Sequence, residues 1–177
     1  EQATQDNSKL KLILGGSIAS VLAAGVIGFL VYSSICPCDR TPGGFLFGDD
    51  SDGQINDWSF ANDVELCQLQ IYDGIRPHSI NLNCMATPEG EMYLSCSVCD
   101  TKYWAARVGE NERGVMRLDG VVYPVYLNRI TDSATMDRAW QARVTKLQIH
   151  GGPGNPAPPT NAPRADRWWT FQVTSRG

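Results

Sequence analysis

Residues 78–97, HSINLNCMATPEGEMYLSCS, decide how this chain folds. The first half alternates. Ile80, Leu82, Cys84 and Ala86 share one side of an extended chain, and Ser79, Asn81, Asn83 and Met85 share the other. A period of two marks a half-buried strand. Thr87-Pro88-Glu89-Gly90 supplies a turn, and residues 91–97 return as a second strand. The stretch therefore predicts a β-hairpin.

Toward the C-terminus, residues 101–108 predict a short helix. Residues 114–118 and 121–130 flank Asp119-Gly120, a pair that tolerates positive φ and so favours a tight hairpin turn. Residues 133–147 set Met136, Ala139, Trp140, Val144 and Leu147 near one helical face, with Thr131, Asp132 and Ser133 available as the N-cap. Residues 151–163, GGPGNPAPPTNAP, predict an extended irregular excursion, and residues 167–174 a closing strand. Toward the N-terminus, residues 64–72 predict the first strand. Residues 36–56, CPCDRTPGGFLFGDDSDGQIN, predict a linker whose Pro, Gly and Asp prevent long regular structure. Within it, Phe45, Leu46 and Phe47 can pack on their own domain, on a neighbour or at a membrane surface. Hairpins dominate and there is no internal repeat. The expected domain, residues 57–177, is mainly β (α+β), a small closed or half-closed barrel with peripheral helices.

Residues 12–35, LILGGSIASVLAAGVIGFLVYSSI, carry no charge. As a helix they reach roughly 36 Å, enough for a hydrocarbon core of about 30 Å. Residues 10–35 are therefore read as a transmembrane helix, preceded by a polar tail at residues 1–9. The run is longer than a signal-peptide core and lacks a small-x-small site before Cys36, so an uncleaved anchor is expected. Lys9 and Lys11 precede the span and Arg40 follows it, which favours a cytoplasmic N-terminus. The expected location is single-pass in the inner (cytoplasmic) membrane, with the domain periplasmic or otherwise exoplasmic. Gly16, Ser20, Ala24 and Gly28 recur every four residues. They make a small-residue face that lets another transmembrane subunit approach closely within the lipid bilayer.

The net charge of −4 and pI near 5.1, without any Lys/Arg run, argue against nucleic acid as a partner. Six cysteines suit a disulfide-permissive compartment. Cys36 and Cys38 flank a single proline, so a bond between them would be strained and a bridge to another cysteine is expected. Cys96 and Cys99 form a CxxC pair at a strand-to-helix junction, either a bridge or a thiol redox pair. Cys84, on the apolar strand face, reads as a buried free thiol. A zinc site built from both pairs lacks histidine, and Cys99 is followed by Asp100 and not His, so neither metal nor haem is expected. His78 and His150 are too separate for a His-based triad. His78 reads as a surface or hairpin residue beside Arg76, in reach of an anion. Trp168 and Trp169 can line a cofactor, an interface or the core.

The run 91–142, EMYLSCSVCDTKYWAARVGENERGVMRLDGVVYPVYLNRITDSATMDRAWQA, resembles the FMN-binding split-barrel superfamily, which includes pyridoxamine-phosphate oxidases and deazaflavin-dependent nitroreductases. The shared pattern is a strand, a short helix with an aromatic (here Trp104), a Gly hairpin, a strand ending Arg-x-x-Asp, and a helix. The resemblance implies FMN or a deazaflavin. It also implies a phosphate held by Arg76, Ser79, Ser97, Thr101 and Lys102, and a homodimer completing the site. The sequence departs from the pattern at the turn before the short helix. There Ser97-Val98-Cys99-Asp100 replaces a Gly-rich turn and puts a negative charge beside the phosphate position. Ala105-Ala106 and residues 110–113 replace expected Asn and Pro.

Three functions follow as expectations. The first is a non-catalytic, single-span accessory subunit of a larger membrane complex, respiratory or photosynthetic, with a degenerate split barrel outside the membrane. The second is a membrane-tethered flavin or deazaflavin oxidoreductase. The third is a thiol redox protein acting through Cys96 and Cys99.

Overall fold

A computed structural model describes residues 2–177, with side chains from Ile13 onward. The chain forms two compact units, Glu1–Ile35 and Cys36–Gly177. The first is one helix, α1 (Gln2–Ser34). Its segment Ile13–Ser34 is long and apolar enough to cross a membrane. The residues expected as a polar tail are helical from Gln2, and Glu1 lies outside the described residues. No Gly or Pro interrupts residues 2–11, and Ala, Gln and Lys propagate a helix well.

The second unit is built from β1 (Asp49–Asp50), β2 (Cys67–Asp73), β3 (Arg76–Leu82), β4 (Cys84–Ala86), β5 (Met92–Ser97), β6 (Glu112–Leu118), β7 (Val121–Ile130), α2 (Ser133–His150) and β8 (Trp168–Ser175). The strands run in the order β3-β2-β6-β7-β8-β5-β4, with every neighbouring pair on that path antiparallel. β1 joins β7 in parallel. The result is a mainly-β half-barrel, and it fits the split-barrel fold. The β6–β7 turn forms as expected, with Asp119 at φ 45° and Gly120 at φ 86°.

Alternation puts Leu69, Ile71, Met116, Leu127 and Phe171 on the concave side, all essentially inaccessible. Trp58 and Trp104 close this interior, and the Trp104 ring packs on Phe171 at 4.9 Å between centroids. A pair of this kind contributes about 0.5–1.5 kcal/mol beyond area burial. The opposite face of β4 and β5 is not solvated. Met85 and Tyr93 there pack on Ala139 and Ala142 of α2. Asp132 caps α2, its carboxylate accepting from the Thr135 amide at 2.8 Å.

The structure corrects several expectations. The long strand 78–86 is two strands, β3 and β4, broken at Asn83, whose side-chain oxygen accepts from Asn155 at 2.9 Å. The helix at 101–108 is instead two 3-10 turns, Cys99–Thr101 and Ala105–Arg107, because the Cys96–Cys99 disulfide and Val98 at φ 55° pull the chain into a tight bend. The Pro/Gly-rich run 151–163 is a strap on α2. Trp140 Nε1 donates to the Ala162 carbonyl at 2.7 Å, Gln148 to the Pro158 carbonyl at 2.8 Å and Arg143 to Asn155 at 2.6 Å.

The linker 36–56 is likewise pinned. β2 and β3 turn Gln68, Gln70, Ser79 and Asn81 away from the core, and these polar side chains need partners. The linker backbone supplies them. The Leu46 amide donates to Gln70 at 2.7 Å, Asn81 donates to the Asp39 carbonyl at 3.0 Å, and Gly43 and Ser79 exchange backbone hydrogen bonds of 2.8 and 2.9 Å. Leu46 is buried while Phe47 stays exposed.

Candidate functional site

Of the five residues implied to hold a phosphate, Arg76 and Ser79 are set apart from each other. Arg76 and Ser79 lie three apart on β3, so they point to opposite faces of the strand. Ser79 is fully buried beneath Gly43, and its hydroxyl has no partner there. No ligand reaches that hydroxyl unless the linker lifts away. The Thr101 hydroxyl is committed to the Val98 carbonyl at 2.9 Å. Ser97 ends β5 opposite Trp168, half-buried, and Lys102 is exposed after the first 3-10 turn. Ser79 is thus covered by the linker, and the Thr101 hydroxyl already has a partner.

What the structure does assemble is a cluster around Tyr103. The β2–β3 hairpin brings Asp73, Arg76 and His78 to one end of the sheet, and the bend between the 3-10 turns brings Tyr103 and Arg107 against them. The Tyr103 hydroxyl donates to the Asp73 carboxylate. Arg107 pairs with the same carboxylate at 3.3 Å and lies over the Tyr103 ring at 3.5 Å, with the Arg76 guanidinium at 5.7 Å from that ring. His78 stacks on Tyr103 at 4.6 Å between centroids. It is 5% exposed and its Nδ1 has no partner, so it is not the surface histidine expected from the sequence.

The electrostatics follow from these contacts. The Tyr103 hydrogen bond, helped by Arg107 and Arg76, holds the Asp73 carboxyl below its ordinary value. The same bond raises the Tyr103 phenol. Burial, with Arg76 and Arg107 adding repulsion, pushes His78 below 6.5. His78 is therefore a neutral imidazole near pH 7. Sequence reading found Arg76 and His78 but missed Asp73, Tyr103 and Arg107. Their cue was the Asp73-Gly74-Ile75-Arg76 hairpin turn, which brings strand ends together.

The cysteines also differ from expectation. Cys84 is not a free thiol but is bonded to Cys67, both fully buried. Cys96 is bonded to Cys99. Cys36 and Cys38, expected to bridge to another cysteine, are free and exposed. Against the Cys67–Cys84 bridge lies Lys146 of α2. It is 3% exposed, with Nζ at 2.7 Å from the Ala61 and Cys84 carbonyls and 3.5 Å from Cys84 Sγ. Desolvation pushes this ammonium down to about 8. A groove of about 580 Å³ opens between the first half of α2 and the β4–β5 turn, lined by Thr87, Pro88, Asp137, Arg138, Gln141 and their neighbours. It lies apart from the Tyr103 cluster in its lining residues.

The unit Cys36–Gly177 is thus a split-barrel domain. No protein-family model matches the chain, and no curated protein does. Solved structures to which it is similar include the following three. One is a pyridoxamine 5'-phosphate oxidase-like protein from Listeria innocua, 10% identical, covering 67% of this chain and 89% of that one at a TM-score of 0.44. Another is a NimC/NimA family protein from Clostridium acetobutylicum, 13% identical over 66% and 78% of the two chains, TM-score 0.44. The third is an FAD binding protein from Mycobacterium smegmatis, 12% identical over 71% and 100%, TM-score 0.41.

Proposed function

We propose that this protein is a single-span accessory subunit of a larger membrane complex, of the electron-transferring kind, with its split barrel on the exoplasmic side. The observation that carries this reading is the closed state of the expected cofactor site. Ser79 lies under the linker, Thr101 is spent on Val98, and Arg76 faces away from Ser79. A barrel whose would-be site is filled by its own chain is suited to a structural role. The two buried or half-buried disulfides support an oxidising, exoplasmic compartment. The strap 151–163 is itself held down, bonded to α2 and to Asn83. The apolar face of α1 therefore carries the partner contact.

Solubilisation of native membranes in mild detergent, followed by capture of the full chain, tests the proposal. Stoichiometric co-purifying membrane subunits are expected. A chain that purifies alone overturns it.

The Tyr103 cluster favours a second reading, a tethered flavin or deazaflavin oxidoreductase, because it places Arg76 and Arg107 together with the Lys102 turn. A visible absorption spectrum separates the two. Flavin absorbance in the captured protein supports the second reading, and a colourless protein that takes up no added FMN removes it.

A further inference from the structure

The apolar run Phe45-Leu46-Phe47 is divided by the fold. Leu46 is buried, with its amide donating to Gln70 at 2.7 Å. Phe47 is 59% exposed, and the half-buried Phe45 ring lies 6.3 Å from it between centroids. Arg117 fixes where Phe47 stands. Its Nη1 donates to the Phe47 carbonyl at 2.8 Å and to Cys36 Sγ at 3.6 Å. Gln68, the cross-strand partner of Arg117, donates to the Pro37 carbonyl at 3.4 Å. Leu66, 43% exposed, precedes Gln68 by two residues. Cys36, Phe47 and Leu66 therefore share one end of the sheet, where β2 begins and β6 ends.

The covalent chain says what lies at that end. Ser34 is the last residue of α1, and Ile13–Ser34 is the segment apolar enough to span a membrane. Cys36 is two residues further on, a reach of about 7 Å at most. The Arg117 contacts then hold Phe47 beside the point where the chain leaves the bilayer. An aromatic ring displayed there gains by entering the boundary between headgroups and acyl chains. Asp49 and Asp50, exposed just after Gly48, disfavour an anionic surface.

We propose that this end of the split barrel rests on the bilayer, with Phe47 seated in the interfacial layer of a zwitterionic leaflet. The Tyr103 cluster then faces the aqueous phase. β2 and β3 pair from Cys67–Leu82 to Asp73–Arg76, so Asp73 and Arg76 stand roughly 20 Å further along the strands.

The inference rests on α1 as a membrane span, and the test keeps the two apart. The full chain carrying Cys36→Ser/Cys38→Ser receives one new cysteine, Phe47→Cys or Ile75→Cys, labelled with the fluorophore NBD in phosphatidylcholine nanodiscs. Ile75, in the β2–β3 turn, is 88% exposed. The label at 47 should be quenched by phosphatidylcholine carrying a doxyl group near the headgroup, and be several-fold less open to iodide than the label at 75. The label at 75 should be quenched by iodide and not by the doxyl lipid. Equal iodide quenching at both positions overturns the lipid contact. A label at 47 shielded from iodide yet untouched by the doxyl lipid is covered by protein, which also overturns it. Doxyl quenching at both positions overturns the end-on placement. In each of these cases α1 still stands as a span if the chain resists alkaline carbonate extraction. Release by carbonate removes the span and the lipid contact together.

Discussion

Lys146 sets the alkaline behaviour of the fold. Its ammonium is buried against two carbonyls and a disulfide, and no salt bridge among the described residues involves it. Desolvation lowers it from 10.5 to about 8. Between those values the unfolded chain holds a proton that the folded chain has released, so stability rises with pH across that window. The displacement corresponds to roughly 3 kcal/mol. Thermal unfolding of the full chain in detergent should therefore show a midpoint that climbs from pH 7.5 to 9.5. A flat profile would mean that the lysine is not buried as described. His78 acts in a lower window. Its folded value is below 6.5, so the unfolded chain takes the proton first and stability falls as pH drops below 6.5. His78→Phe keeps the ring against Tyr103 without a titrating group. It should flatten the midpoint between pH 7 and 5, leaving only the carboxylate-driven loss nearer pH 4. Gly90 is a backbone constraint of a different kind. At φ 81° a Cβ would sit 2.6 Å from Asp57 Oδ1 and 3.1 Å from its Cα. Gly90→Ala should cost about 1–3 kcal/mol, read as a lower denaturation midpoint in urea.

Among the elements, the linker is the one whose behaviour the sequence concealed. Its composition is that of a flexible connector, yet it lies across the polar face of β2 and β3 and adds β1 to β7. The reason is non-local: polar side chains on that face need acceptors and donors, and only the folded sheet creates the demand. A Cβ on Gly48 would collide with the Gly120 carbonyl, and β1 begins at the next residue. Gly48→Val should unzip Asp49–Asp50 from β7. Limited proteolysis should then cut within 36–56, and amide exchange should quicken beside Val122, whose carbonyl accepts from Ser51. If cleavage is unchanged, the contacts of residues 37–47 with the sheet hold the linker without β1. The strong local signals were readable. Asp119-Gly120, the Thr87–Gly90 turn and the Asp132 cap each rest on residues within a few positions. The break at Asn83 and the bend replacing the 101–108 helix were not, since each depends on a distant partner or a disulfide. The same division governs the site. Arg76 and His78 were legible on one strand, whereas Tyr103 and Arg107 reach them only through the folded bend.

At the scale of the molecule, the proposal places partner recognition on α1. Gly16 and Gly28 are suited to a decisive test because a Cβ at either meets nothing within 4 Å. Leucine at both positions strains no neighbour and makes the helix more apolar, so membrane insertion should persist. What leucine removes is the close backbone approach that small residues allow between helices. Gly15 and Gly25 are equally open but stand off the four-residue stripe. Gly15→Leu/Gly25→Leu is therefore a control with the same change of composition. Both double variants should resist alkaline carbonate extraction. On native gels of detergent-solubilised membranes, run with reductant, Gly16→Leu/Gly28→Leu should shift from the complex to a smaller species while the control stays in place. Loss of the complex in both variants would assign the effect to helix hydropathy. Retention in both would leave α1 as an anchor and move the docking surface to the split barrel.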